Sequence, residues 1–208
     1  LTSGTGNVAI GRNALWCVGA TCVGNVASGC MAGRAGAGGY NVFFGQYSGG
    51  QGSPGTCNVF VGYNSGLKNS GYRNIAIGKG AMAGTNTGCT SNEDNIAIGG
   101  CSLAAIQNET HNIAIGCASA CSLTTGSGNL FLGYCSGNNV TTGSSNVVIG
   151  CNVDPASATG SCQFIIGISG NKWICGDSNF NIYDKDGNQL NGGGGGSGGC
   201  LKLVESTN

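Results

Sequence analysis

The sequence predicts an all-β fold, a parallel β-roll of about ten stacked coils, and three observations carry that prediction. The first is a five-residue motif, Asn-(Val/Ile/Leu)-apolar-(Ile/Phe/Val/Leu)-Gly. It recurs from Asn7, Asn41, Asn58, Asn74, Asn95, Asn112, Asn129 and Asn146, with weaker copies at Asn25 and Gln163. The second is its spacing: each step from Asn95 to Gln163 is 17 residues, and the earlier steps are 18, 16, 17, 16 and 21. A unit this short cannot bury its own apolar face, so neighbours must stack. The third is composition. Glycine fills 43 of 208 positions and charged residues only 8%, yet 40% of the chain is hydrophobic and sits in register, which separates it from disordered sequences.

Each part of the coil has a physical reason. Side chains alternate along a strand, so the first and third residues after Asn share a face. These are aliphatic pairs such as Ile75/Ile77, Ile96/Ile98, Ile113/Ile115 and Val147/Ile149, and they are read as the packed interior of the roll. The closing glycine (Gly78, Gly99, Gly116, Gly150) suits a corner with positive φ. A second glycine column, three residues before the motif (Gly4, Gly38, Gly55, Gly71, Gly126, Gly143, Gly160), implies a second corner and hence two short strands per coil. Small residues three after the first glycine (Ala14, Ser48, Ser65, Ala81, Ser102, Ser119, Ser136) let the two walls approach. Asn7, Asn41, Asn58, Asn74, Asn95, Asn112, Asn129 and Asn146 are expected to stack into a corner ladder that satisfies backbone groups.

The middle residue of the motif reads Ala9, Ala27, Phe43, Phe60, Ala76, Ala97, Ala114, Phe131, Val148 and Ile165. With its neighbours assigned to the interior, this column faces outward and should be polar, yet it is apolar. A strand apolar on both faces is normally covered on both. The sequence therefore predicts a subunit interface at Phe43, Phe60, Ala76, Ala97, Ala114, Phe131, Val148 and Ile165, with three sister chains around an axis parallel to the roll. Cover by an added loop is the other solution.

Along the chain, residues 1–170 form the repeat roll, with residues 16–40 and the polar stretch 85–94 bulging from the pattern. Residues 1–7 align with residues 123–129, so the chain is expected to be a piece of a longer repeat. Residues 171–191 form a capping segment with a hairpin at Asp186-Gly187, and Trp173, Phe180 and Tyr183 close the end of the roll. Residues 192–199 read as a Gly-rich linker and 200–208 as a short terminal strand.

Chemistry is sparse. No Cys-x-x-Cys pair accompanies the 13 cysteines, and His111 is the sole histidine, so no metal and no other cofactor is expected. Neighbouring-coil cysteines such as Cys101 and Cys117 fall in different columns, which disfavours disulfides. Reduced, small, buried apolar residues are expected instead. Asp184-Lys185-Asp186-Gly187-Asn188 opens like a calcium loop but lacks its later ligands, and reads as a turn. Within the repeats the acids are Glu93, Asp94, Glu109 and Asp154, too few and too scattered for paired-carboxylate catalysis, so the chain is not read as an enzyme. Eight basic and eight acidic side chains leave no basic surface for nucleic acid. No apolar run reaches membrane-span length.

The tandem Asn-Ile-Ala-Ile-Gly copies, with Gly-Tyr-x-Ser-Gly and Thr-Thr-Gly between them, resemble the head repeats of trimeric autotransporter adhesins. They are more similar to the repetitive tail-fibre-type proteins of bacteriophages, including Cys-rich cyanophage forms, because adhesin heads usually have shorter repeats. The resemblance covers residues 1 to about 170. It implies a left-handed roll, a homotrimer, and a non-catalytic virion fibre for host-surface attachment. The implied partners are other virion or fibre subunits and a host cell-surface receptor, a glycan among the candidates. A bacterial surface adhesin head, and so an extracellular location, is the nearest alternative. An ice-binding solenoid is a third, suggested by Thr124-Thr125 and Thr141-Thr142.

Overall fold

A computed structural model describes residues 4–16, 22–35, 38–84, 92–177, 179 and 181–189. The described residues form an all-β solenoid without a helix, built on one 12-stranded sheet in strict chain order. Ten motif copies supply its parallel part: β1 (Val8–Ile10), β2 (Val26–Ser28), β3 (Val42–Phe44), β4 (Val59–Val61), β5 (Ile75–Ile77), β6 (Ile96–Ile98), β7 (Ile113–Ile115), β8 (Leu130–Leu132), β9 (Val147–Ile149) and β10 (Phe164–Ile168). Register is unbroken, each middle residue pairing with the next, as in Ala76↔Ala97 and Ala97↔Ala114. The weak copy at Asn25 forms β2, paired in register with β1 and β3, inside the stretch expected to bulge. The polar loop at 85–91 lies outside the described residues.

The interior is the reverse of the sequence expectation. Phe43, Phe60, Ala76, Ala97, Ala114, Phe131 and Val148 are fully buried within the single chain, and Ile165 nearly so. These middle residues fill the roll and cannot be the subunit interface. The flanking residues are the outward ones: the strands β3, β5, β7 and β8 all run half-buried, buried, exposed. Only one of the two columns could point inward, and the wall opposite decides which.

That wall is the residue six positions on, and its size compensates the middle residue. Ala76 is followed by Met82 and Ala97 by Leu103, both fully buried, whereas Phe43, Phe60 and Phe131 are followed by Gly49, Gly66 and Gly137. A Cβ on Gly49 would sit 2.6 Å from the Phe43 ring, and one on Gly66 or Gly137 would overlap Phe60 or Phe131. In these five layers a large residue thus faces a small one, as a densely packed interior requires, whereas the Ala27/Gly33 and Ala114/Ala120 pairs do not follow the exchange. Phe43 and Phe60 also stack along the axis, with centroids 5.8 Å apart.

One strand, rather than two, forms per coil. The segment after the closing glycine is a curl of turns. Glycines from Gly11 to Gly150 close the motif at φ of 119–141°, a region effectively reserved for glycine. A Cβ on Gly45 or Gly62 would also lie 2.6 or 2.7 Å from the next coil's glycine oxygen. Two and four residues later φ is positive again, as at Cys101 (57°) and Leu103 (47°). The amide of Cys101 bonds back to Lys79 O and that of Leu103 forward to Ser119 O, so the curl satisfies both neighbouring coils. Buried serines complete the wall: Ser48 and Ser65 donate to the carbonyls of Phe60 and Ala76 at 2.8 and 2.7 Å.

The roll ends in an antiparallel meander, β10 followed by β11 (Asn171–Gly176) and β12 (Ile182–Asp184). Ser169 and Gly170, both at positive φ, make the two-residue turn between β10 and β11, the backbone signature of a primed hairpin turn. The expectations from the sequence include no hairpin here. The one expected at Asp186-Gly187 is present as a turn, with Gly187 N bonded to Asp184 O and Tyr183 bridged to Gln189. Cys175 packs against the last core layer, while Trp173, expected to plug the end, is exposed. Phe180, the Gly-rich segment at 192–199 and the strand expected at 200–208 lie outside the described residues.

Candidate interaction surface

The corner asparagines form the ladder the sequence predicts. Asn112 shows the unit: its backbone N–H and Nδ2 donate to Asn95 Oδ1 at 2.9 and 3.2 Å, and Nδ2 also donates to Gly126 O at 2.8 Å. Its own Oδ1 accepts from Asn129 N and Nδ2. The pattern runs from Asn7 through Asn25, Asn41, Asn58, Asn74, Asn95, Asn112, Asn129 and Asn146. Gln163 ends it, its longer amide reaching Ser157 O and Gly160 O. The asparagines beyond Asn7 are buried and their amides are consumed, so the ladder is structural and offers no free recognition groups.

The outward sheet face has two parallel apolar columns. Val26, Val42, Val59, Ile75, Ile96, Ile113, Leu130 and Val147 make the first, and Phe44, Val61, Ile77, Ile98, Ile115, Leu132 and Ile149 the core of the second. Phe44, Ile77, Ile115 and Leu132 keep 36–45% of their surface exposed. Ten strands at about 4.8 Å spacing make the stripe about 43 Å long. Taken as roughly 11 Å wide, it covers on the order of 500 Å², near the upper end of what a monomer exposes in one patch.

Beside one edge of this face lies a charged cluster. Arg73 Nε and Nη2 hold both oxygens of Asp94 at 2.7 and 2.9 Å, and Nη2 also reaches Glu93 at 2.9 Å. The two carboxylates, adjacent in sequence, converge on one guanidinium. His111 Nε2 stands 3.7 Å from Asp94. Arg73 pulls the Asp94 pKa below the usual carboxylate range, with His111 adding to it. Glu109 is buried and its pKa is pushed up by desolvation, offset in part by a hydrogen bond from Ser127 Oγ at 3.0 Å. An arginine closing on both acids leaves neither as a free acid or base.

The cysteines depart from expectation. The described ones are free thiols, but Cys57, Cys101, Cys117, Cys151 and Cys162 are exposed and only Cys22 is buried. They decorate corners, because the interior positions belong to the middle column and its opposite wall. Among the described residues no three His, Cys, Asp or Glu side chains converge as metal ligands. Asp184 accepts from Asp186 N, Asn188 N and Asn188 Nδ2, the arrangement of a turn. The Thr124 and Thr141 hydroxyls donate to carbonyls of the following coil, at Thr141 and Ala158. No family model, curated protein or solved structure matches the chain.

Proposed function

We propose that the chain is a non-catalytic, homotrimeric fibre segment of tail-fibre type, carried on a virion and serving host-surface attachment. The supporting observation is the outer apolar face. A strand apolar on both sides is stable when both sides are covered. The core covers the middle column, and the Val/Ile/Leu columns need a second cover of equal length and straightness. A sister roll in register supplies it, and three such faces meeting around a parallel axis enclose one another. The interface of such a trimer is made of these flanking columns and not of the middle one. A rigid shaft whose acids Glu93 and Asp94 are both held by Arg73 suits a structural part better than an enzyme. Its Thr hydroxyls, already bonded to carbonyls, give an ice-binding grid little support.

Light-scattering mass in solution tests the reading. Wild-type protein is expected at three times the chain mass, and the double variant Ile77→Asp/Ile115→Asp as a folded, smaller species. A wild-type monomer at micromolar concentration would sink the proposal. Phe60→Asp serves as the contrast: it places a charge inside the roll and should unfold the chain rather than dissociate it.

A further inference from the structure

The geometry points to a saccharide site at the meander end of the roll, where Lys172 and Trp173 would hold a neutral sugar chain. This inference rests on the attachment reading and gives it a ligand class. Two depressions meet at Lys172. One, of about 430 Å³, is bounded by Ser157, Ser161, Lys172, Asp177 and Tyr183 over a floor that includes Ile165. The other, of about 610 Å³, is bounded by Asn171, Lys172, Trp173, Lys185 and Asp186. Both volumes fall within the range of small-molecule sites.

The backbone aims the aromatic. Ile166 pairs with Ile174 and Gly167 with Lys172, so Trp173 is the extra residue of a β-bulge, opposite no partner. Bulges of this kind re-aim a side chain. Here the indole is 53% exposed, whereas Cys175, two residues on, packs against the core. A flat exposed indole suits the apolar C–H face of a pyranose, and the hydroxyls of the adjoining depression, across Lys172, suit the hydroxyl rim of the next unit in the chain.

Charge selects the class. Lys172 pairs with no carboxylate among the described residues, so its ammonium is free to donate. Asp177 is held by Asn179 N, Asn181 N, Asn181 Nδ2 and the Tyr183 hydroxyl, and it fixes Tyr183 in the wall. Lys172 and Asp177 are the charged residues of the smaller depression, and in the larger one Lys185 is paired with Asp186. An acidic sugar would meet Asp177, while a neutral one can accept from Lys172 and donate to the serine oxygens.

The test is an array of immobilised neutral oligosaccharides of glucose, mannose, galactose and N-acetylglucosamine, with sialylated glycans alongside. Titration calorimetry with the best neutral binder follows. Wild-type protein is expected to bind neutral glycans, Trp173→Ala to weaken binding tenfold or more, and Lys172→Met severalfold, both with unchanged melting temperature. Absence of neutral binding, binding to sialylated glycans alone, or variants that bind like wild type would each overturn the site. Mass measured on the same samples keeps the two readings apart. A trimer that binds no glycan sinks only the cleft, and a monomer that binds one sinks only the trimer.

Discussion

Exchanging the two halves of one core layer tests the volume compensation directly. Phe131 is fully buried, and Phe131→Ala leaves a cavity costing about 3–5 kcal/mol. Gly137→Met drives a long side chain into the Phe131 ring, an overpacking of about 1–3 kcal/mol. It also places a non-glycine residue at φ 64°, which costs roughly 1–2 kcal/mol. Independent effects would sum to about 5–10 kcal/mol, using the same ranges. The double variant Phe131→Ala/Gly137→Met, however, rebuilds the Ala76/Met82 layer, in which Met82 already sits at φ 47°. A coupling of about 2–3 kcal/mol in favour of the double variant is expected. Urea titration at fixed protein concentration, followed by far-ultraviolet circular dichroism with slopes compared across the cycle, measures it. Additivity within about 0.5 kcal/mol would refute the idea that these positions share one layer.

Other perturbations probe other parts. Asn112→Ala should cost about 3 kcal/mol or more, because it strands the buried Asn129 amide and the Gly126 carbonyl together; a melting temperature equal to wild type would show the ladder to be ornamental. Glu109→Gln should stabilise the protein near neutral pH. The folded-state pKa of Glu109 is raised, so the burial penalty grows as pH rises from the ordinary carboxylate value through the folded one. The gain should vanish in acid, where both forms are neutral, and a gain independent of pH would contradict the assignment. Alkylation of native protein followed by peptide mass spectrometry should label Cys101 and Cys151 and spare Cys22.

Much of the coil was legible because it is written in residue types with one use. The closing glycines mark a backbone region closed to other residues, and the asparagines recur at the single corner position where an amide can serve three backbone or side-chain partners. The face of the strand was not legible, because inside and outside columns are both apolar and alternation needs a contrast in polarity. A different signal was present. The flanking columns stay mostly Val, Ile or Leu, whereas in five coils the middle residue alternates between Ala and Phe as the residue six places on alternates between Met or Leu and Gly. Only residues facing each other across a closed section must trade volume in this way. The second strand was over-read for a related reason. The glycine column at Gly38, Gly55 and Gly71 marks close approach between coils, since a Cβ at Gly38 would lie 2.6 Å from Gly55 O, and it need not mark a corner between two strands. At the far end, Ser169-Gly170 between two apolar runs carries a hairpin-turn signal, weaker in residue type than Asp186-Gly187.

The asparagine column also gives the molecule an electrical direction. In the backbone ladder, amides point both ways along the roll: Ile96 N bonds forward to Asn112 O and Gly99 N backward to Ile77 O, and such dipoles largely cancel. Every Oδ1 from Asn7 to Asn146, by contrast, accepts from the coil that follows it. Nine carbonyl dipoles therefore align head to tail in a buried, low-dielectric column, and each hydrogen bond polarises the next. The roll is in this respect like a long α-helix, with its positive pole toward β1 and its negative pole toward the meander. Each added coil lengthens the dipole, so the stabilisation per coil should rise with the length of the stack.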